Sequence, residues 1–214
     1  MKLEWIGHAC FRLTAEDGMV VITDPYDESV GIEMLPLEAD LITMSHEHHD
    51  HSEMRMIVGR PVIVHGTQTA QAGSVTARAV GSYHDDAQGA KRGPNAIRIF
   101  AFDGLKVVHM GDQGCMPDEE TLAAIADADV MMIPVGGTYT VDAQGAKAII
   151  ERARPACVIP MHVKTRHCPY PIAPVAPFLA AMGAQGAEAV REAGFTRESG
   201  PKGVLLMQPL ADAL

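Results

Sequence analysis

The chain has few of the features that would tie it to a membrane or to nucleic acid. None of its 214 residues form an apolar run long enough to cross a bilayer. Lys2 and Glu4 put charge where a secretion signal needs an apolar core, so a cytoplasmic protein without membrane contact is expected. Cationic side chains are outnumbered, 17 Lys and Arg against 27 Asp and Glu, for a formal net charge of −10. That balance argues against a wide basic groove, and no nucleic-acid partner is expected. Cysteine is scarce as well. Cys10, Cys115, Cys157 and Cys168 form no C-x-x-C pair, which excludes a dense disulfide framework and fits a reducing compartment. There is no short repeat, low-complexity run or linker, so residues 1–214 are read as a single domain. What is present is ordinary core material: 47% hydrophobic residues, with 13 methionines as filler.

Turn signals divide the chain. Strands are expected over 3–5 and 9–14, then a hairpin turn at Glu16-Asp17-Gly18 and a continuous apolar strand over 19–23. That strand stops at Asp24-Pro25. Asp24 therefore sits at a strand end, either capping the turn or fixing a ligand imidazole. Further strands are expected over 40–44, 61–64, 75–80, 95–102, 105–110, 129–135, 156–160 and 203–208. Short helices are expected over 52–58, 67–72, 174–182 and 187–193. Pro117-Asp118-Glu119-Glu120 opens another helix, and Asp142 caps one running to Arg154. Strands in runs, then alternating with helices, fit a four-layer αββα sandwich of the α/β class, α+β by some schemes.

The chemistry concentrates in Ser45-His46-Glu47-His48-His49-Asp50-His51, directly after the apolar strand ending at Met44. Packing does not explain it, since nothing after Met44 is apolar. Neutral imidazole and carboxylate oxygen suit Zn²⁺ and similar ions. A turn there can aim His46 and His48 at one ion and Asp50 with His51 at a second. A solvated or loosely metal-binding loop is the plain alternative. Further candidates at strand ends weigh against it: His84, Asp112 and His162.

In this order, His46-x-His48-x-Asp50-His51, His84, Gly111-Asp112 and His162 resemble the metal motifs of the metallo-β-lactamase-fold hydrolases. Trp5-Ile6-Gly7-His8-Ala9, Ile22-Thr23-Asp24-Pro25, Pro134-Val135-Gly136-Gly137-Thr138-Tyr139-Thr140 and Ile159-Pro160-Met161-His162 extend the likeness over about residues 1–166. They point to a compact branch similar to ascorbate-6-phosphate lactonase. The resemblance implies the metallo-β-lactamase fold and two divalent ions, Zn²⁺ first, with Mn²⁺ or Fe as alternatives. It implies His46, His48 and His84 on one metal, Asp50, His51 and His162 on the other, and Asp112 bridging them. Asp50 and Asp112 are then the catalytic carboxylates. The implied reaction is attack of a metal-bound hydroxide on an ester, lactone or phosphodiester of a small molecule. A nuclease of the same fold and a mono-iron oxidoreductase like the sulfur dioxygenases are the alternatives. His65 competes with His84 for the third motif; family order favours His84.

Around these, His8 is read as lining the pocket or structural, His49 as solvent-facing and His109 as a hydrogen-bonded core residue. Gly137 and Thr138 belong to a turn that either offers backbone N–H donors or is merely tight. Lys164, Arg166 and His167 are candidates for binding an anionic substrate group, against the plainer reading of solvated bases.

Overall fold

The computed structural model describes residues 1–210. The strands are β1 (Lys2–Gly7), β2 (Cys10–Thr14), β3 (Val20–Thr23), β4 (Leu37–Glu38), β5 (Leu41–Met44), β6 (Ile57–Val58), β7 (Val62–His65), β8 (Ala70–Ala72), β9 (Val75–Tyr83), β10 (Pro94–Phe102), β11 (Leu105–His109), β12 (Val130–Pro134), β13 (Cys157–Met161), β14 (Glu192–Gly194) and β15 (Gly203–Val204). The α-helices are α1 (Glu119–Ile125), α2 (Ala143–Ala153) and α3 (Ala176–Ala181). One sheet has the order β14-β1-β2-β3-β5-β7, and the other β15-β13-β12-β11-β10-β9-β8. Each is antiparallel on one side and parallel on the other, with β3, β5 and β7 parallel in the first and β11, β12, β13 and β15 in the second.

Side-chain alternation puts the two sheets face to face. Val21 and Leu41 join Trp5 and Phe11 in one core with Ile97, Val107 and Met131 of the second sheet. Their neighbours Ile22 and Ile42 point the other way, into a smaller cluster with Tyr26, Val30 and Met34. Helices α1 and α2 are the crossovers of the parallel half, and Asp118 and Asp142 cap them by accepting N–H bonds from their first turns. The layer outside the first sheet is not α-helical. It consists of a 3₁₀ turn (Glu28–Val30) and the two-stranded β4/β6 ribbon.

Three short helices expected from sequence are absent, each displaced by strand pairing. In 52–58, Ile57–Val58 pair with Leu37–Glu38. In 67–72, Ala70–Ala72 add to β9. In 187–193, Val190 bridges Met207 and Glu192–Gly194 pair with β1. An isolated helix this short has little stability of its own, so pairing with an available strand wins. The last strand is also shorter than expected, Gly203–Val204 only. Among the described residues no helix is long and apolar enough to cross a membrane. All four cysteines are free.

Candidate metal centre

Strands β1, β3 and β5 share one direction in the first sheet, as do β9, β11, β12 and β13 in the second. Their C-terminal ends meet at one rim and deliver His8, Asp24, the Ser45–His51 loop, His84, Asp112, the Gly136–Tyr139 turn and His162. The backbone is strained there. His8, Asp24 and His162 hold φ of 52°, 39° and 52°, in the left-handed region that non-glycine residues seldom occupy. Such conformations cost roughly 1–3 kcal/mol each and persist only where neighbours fix them. Here the His8 carbonyl accepts from Trp5 Nε1 and from the His162 amide, both at 3.1 Å. Gly111, φ 55°, has no such latitude. A Cβ there would lie 2.3 Å from Asn95 Oδ1 and 2.6 Å from Ser45 Cβ. Only glycine lets the chain pass between them, after which the Asp112 amide donates to Asn95 Oδ1 at 3.0 Å.

One buried carboxylate orients two of the imidazoles. Asp24 accepts from the Ser45 amide (2.8 Å), from Ser45 Oγ (2.5 Å) and from His51 Nδ1 (2.9 Å). With its proton on Asp24, Ser45 Oγ accepts from His46 Nδ1 at 2.9 Å. Both rings thus carry hydrogen on Nδ1 and turn Nε2 to the rim. His84 does the same, donating from Nδ1 to the Tyr139 carbonyl at 3.2 Å.

The inward atoms are crowded. His46 Nε2 and His48 Nδ1 lie 3.0 Å apart. Asp112 Oδ2 is 3.2 Å from His84 Nε2 and 3.3 Å from His162 Nε2, and Oδ1 is 3.3 Å from His51 Nε2. Asp50 Oδ2 is 3.4 Å from His8 Nε2 and 3.9 Å from His51 Nε2. His46, His48 and His84 offer donor atoms that lie within 4.8 Å of one another, and so do His8, Asp50, His51 and His162. Ligands at about 2.0–2.1 Å around a tetrahedral ion sit about 3.3 Å from each other. His8 Nε2, His51 Nε2 and Asp112 Oδ1 are buried without a hydrogen-bond partner. Orphaned donors at that spacing are what a cation site requires, so the residues fit the metals implied by sequence.

Electrostatics agree. Burial, reinforced by His51, pushes His46 down to about 3, and burial with His162 pushes His8 down to about 4. Burial also lowers His84. These rings are neutral and keep a lone pair at neutral pH. For Asp112, burial opposes ionisation, but His162 and His51 hold the carboxyl well below its usual range. His51 is also buried, yet Asp112 and Asp24 draw it well above the ordinary imidazole value. A cation beside it inverts that preference.

Other expected residues fall elsewhere. His65 is exposed and pairs with Glu47 at 3.1 Å, while His49 faces Asp27 at 3.2 Å. His109 is fully buried; its Nδ1 accepts from the Gly111 amide, so Nε2 donates to the Ala9 carbonyl at 2.8 Å. The Gly137 amide donates to Val141 O just beyond the turn, and Thr138 Oγ1 donates to Pro171 O of a distant loop. Lys164 and Arg166 are exposed, and Lys164 Nζ donates to the Tyr170 carbonyl at 2.7 Å. Neither borders the cavity of about 320 Å³ over the imidazoles; Arg92, Tyr139 and Tyr170 do. Sequence reasoning did not single out Arg92, Asn95 or Asp85. Asn95, at the start of a mostly apolar strand, was the one visible signal.

The fold and this donor set define a class. Residues 2–162 match the model described as the beta-lactamase superfamily domain, and the chain belongs to that superfamily. Within it, the chain is similar to proteins named UPF0173 metal-dependent hydrolase. That of Archaeoglobus fulgidus is 31% identical over 196 residues, covering 77% of this chain and 84% of the relative. That of Thermoplasma acidophilum is 29% identical over 190 residues, with the same coverage. A solved structure from Thermotoga maritima, described as a zinc-dependent hydrolase of the metallo-beta-lactamase superfamily, superposes with a TM-score of 0.80. It is 29% identical, and the match covers 96% of this chain and 97% of that one.

Proposed function

We propose that this chain hydrolyses an ester, lactone or phosphodiester bond of a small molecule at a pair of divalent cations, with zinc the first choice for these donors. The observation that carries the reading is the two donor groups on either side of Asp112. His46, His48 and His84 would hold one ion, Asp50, His51 and His162 the other, and Asp112 would bridge. When bound, such a pair supplies a water of lowered pKa and positive charge for the substrate's oxygens.

The chain's own residues then have distinct tasks. Asp24 fixes the tautomers of His51 and, through Ser45, His46. Burial opposes ionisation of Asp50, but His8 and His51 hold it below the usual carboxylate range, so Oδ2 is free of a proton and can accept a hydrogen bond from the attacking water. Tyr139 and Tyr170 wall the cavity, and Tyr170 is pinned by its hydroxyl, 2.6 Å from Ser29 Oγ.

Metal analysis of the purified chain and a turnover panel of lactones, esters and phosphodiesters test the reading. About two zinc, manganese or iron ions per chain are expected, with Asp112→Asn losing turnover by about 10³-fold or more. No metal retained after loading, or full turnover by Asp112→Ala, would overturn it.

A further inference from the structure

We propose that Arg92 reads an oxyanion on the substrate, so that the molecule cleaved carries a carboxylate or phosphate beside the scissile group. The proposal rests on the hydrolase reading for the reaction, but its support is separate. Two cavities flank His48: one of about 320 Å³ over His84, Asp112 and His162, the other of about 350 Å³ beside His46 and Pro94. Both are of a size for small metabolites. Arg92 borders both and, among the described residues, is the only Lys or Arg that borders either.

The guanidinium is held but not neutralised. One Nη donates to the Thr138 carbonyl at 3.1 Å, and the group lies 5.5 Å from the centre of the Tyr139 ring. Among the described residues no carboxylate approaches it within ion-pair distance, whereas Lys91 beside it pairs with Asp86. Among the described residues its other guanidinium N–H groups have no acceptor. The backbone beneath is equally fixed. Asp85, next to His84, accepts amide bonds from Ala87, Gly89, Lys91 and Arg92 at 2.7–2.9 Å. A chain that ties a loop around one carboxylate and leaves a half-buried arginine unpaired at the rim has prepared a fork for a planar or tetrahedral oxyanion. Lys164, one of the bases considered from sequence, is already bonded to Tyr170 O.

Titration calorimetry on the zinc-loaded full chain, with succinate and its neutral isostere succinamide as probes, decides the matter. The wild type should bind succinate about tenfold or more tightly than succinamide. Arg92→Ala should erase the difference while zinc content and melting temperature stay at wild-type values. Arg92→Lys should keep only part of it, since a point charge lacks the fork. If Arg92→Ala loses zinc, Arg92→Gln, which retains a donor for Thr138 O, provides the same comparison. Equal binding of both probes by the wild type, or a preference that survives Arg92→Ala and Arg92→Gln, would overturn the proposal. Arg92-dependent succinate binding without turnover of any ester, lactone or phosphodiester would defeat the hydrolase reading alone. Turnover without Arg92-dependent discrimination would defeat this inference alone.

Discussion

Asp24 carries more than its size implies. It is completely buried, and its two oxygens receive three hydrogen bonds that set Ser45 and the rings of His46 and His51. Asp24→Asn replaces one acceptor oxygen by an amide nitrogen, so either the Ser45 amide loses its partner at Oδ1 or Ser45 Oγ–H and His51 Nδ1–H together lose theirs at Oδ2. Chelator competition should show zinc affinity reduced about 10–100-fold. Gly111 fails for a different reason. Gly111→Ala adds both an unfavourable φ and a carbon 2.3 Å from Asn95 Oδ1, so urea unfolding should show a loss of about 3 kcal/mol or more. An alanine variant with wild-type stability would mean that the chain does not pass between Asn95 and Ser45. Asp24 was visible in sequence as a strand-end carboxylate and Gly111 as part of a motif. Their pairing with Ser45 and Asn95 was not, because those contacts cross between segments distant in the chain.

At the scale of elements, strand pairing governs. The first sheet shows it: Glu4 and Arg12 face each other across β1 and β2, bonded through both carboxylate oxygens at 2.7 and 2.8 Å. Arg12 holds the Glu4 carboxyl below its ordinary value. A depressed carboxylate stabilises the fold above the unfolded-state pKa, near about 4.3, and that stability fades as pH falls through the lower folded value. Glu4→Gln should therefore cost about 1 kcal/mol at pH 7 and flatten the acid limb of the unfolding free energy between about pH 5 and 3. An acid limb as steep in Glu4→Gln as in the wild type would assign that slope to other groups. Long elements with clear signals were legible: the strands expected over 95–102 and 105–110, which pair as β10 and β11, and α2 from its Asp142 cap to its Arg154 end. The segments 52–58, 67–72 and 187–193 were not. Each is short, so its state depends on which strand lies within reach, and that information is not local.

At the scale of the whole molecule, the site joins the two sheets. His46, Asp50 and His51 come from the first and His84, Asp112 and His162 from the second. Ions held between them would link the halves, while their removal leaves like donors crowded together. Binding only the folded state stabilises it, by about 2.7 kcal/mol at a hundred times Kd. Scanning calorimetry with and without chelator should show a melting temperature about 5–10 °C lower after stripping. An unchanged temperature would mean that the donor groups hold no ion tightly.

The sequence by itself determined the superfamily and the sandwich, and its motif order nominated His46, His48, Asp50, His51, His84, Asp112 and His162 as the proposed donors. Each of these is a local matter: apolar strands, the acids and imidazoles that follow them, and their order. Only the tertiary structure decided that Asp24 orients two rings at once, that His8 shares a donor group with Asp50, and that Arg92 rather than Lys164 borders the cavity. Those facts depend on how far apart loops from different strands lie once both sheets are packed, and side-chain type along a chain carries no measure of that distance.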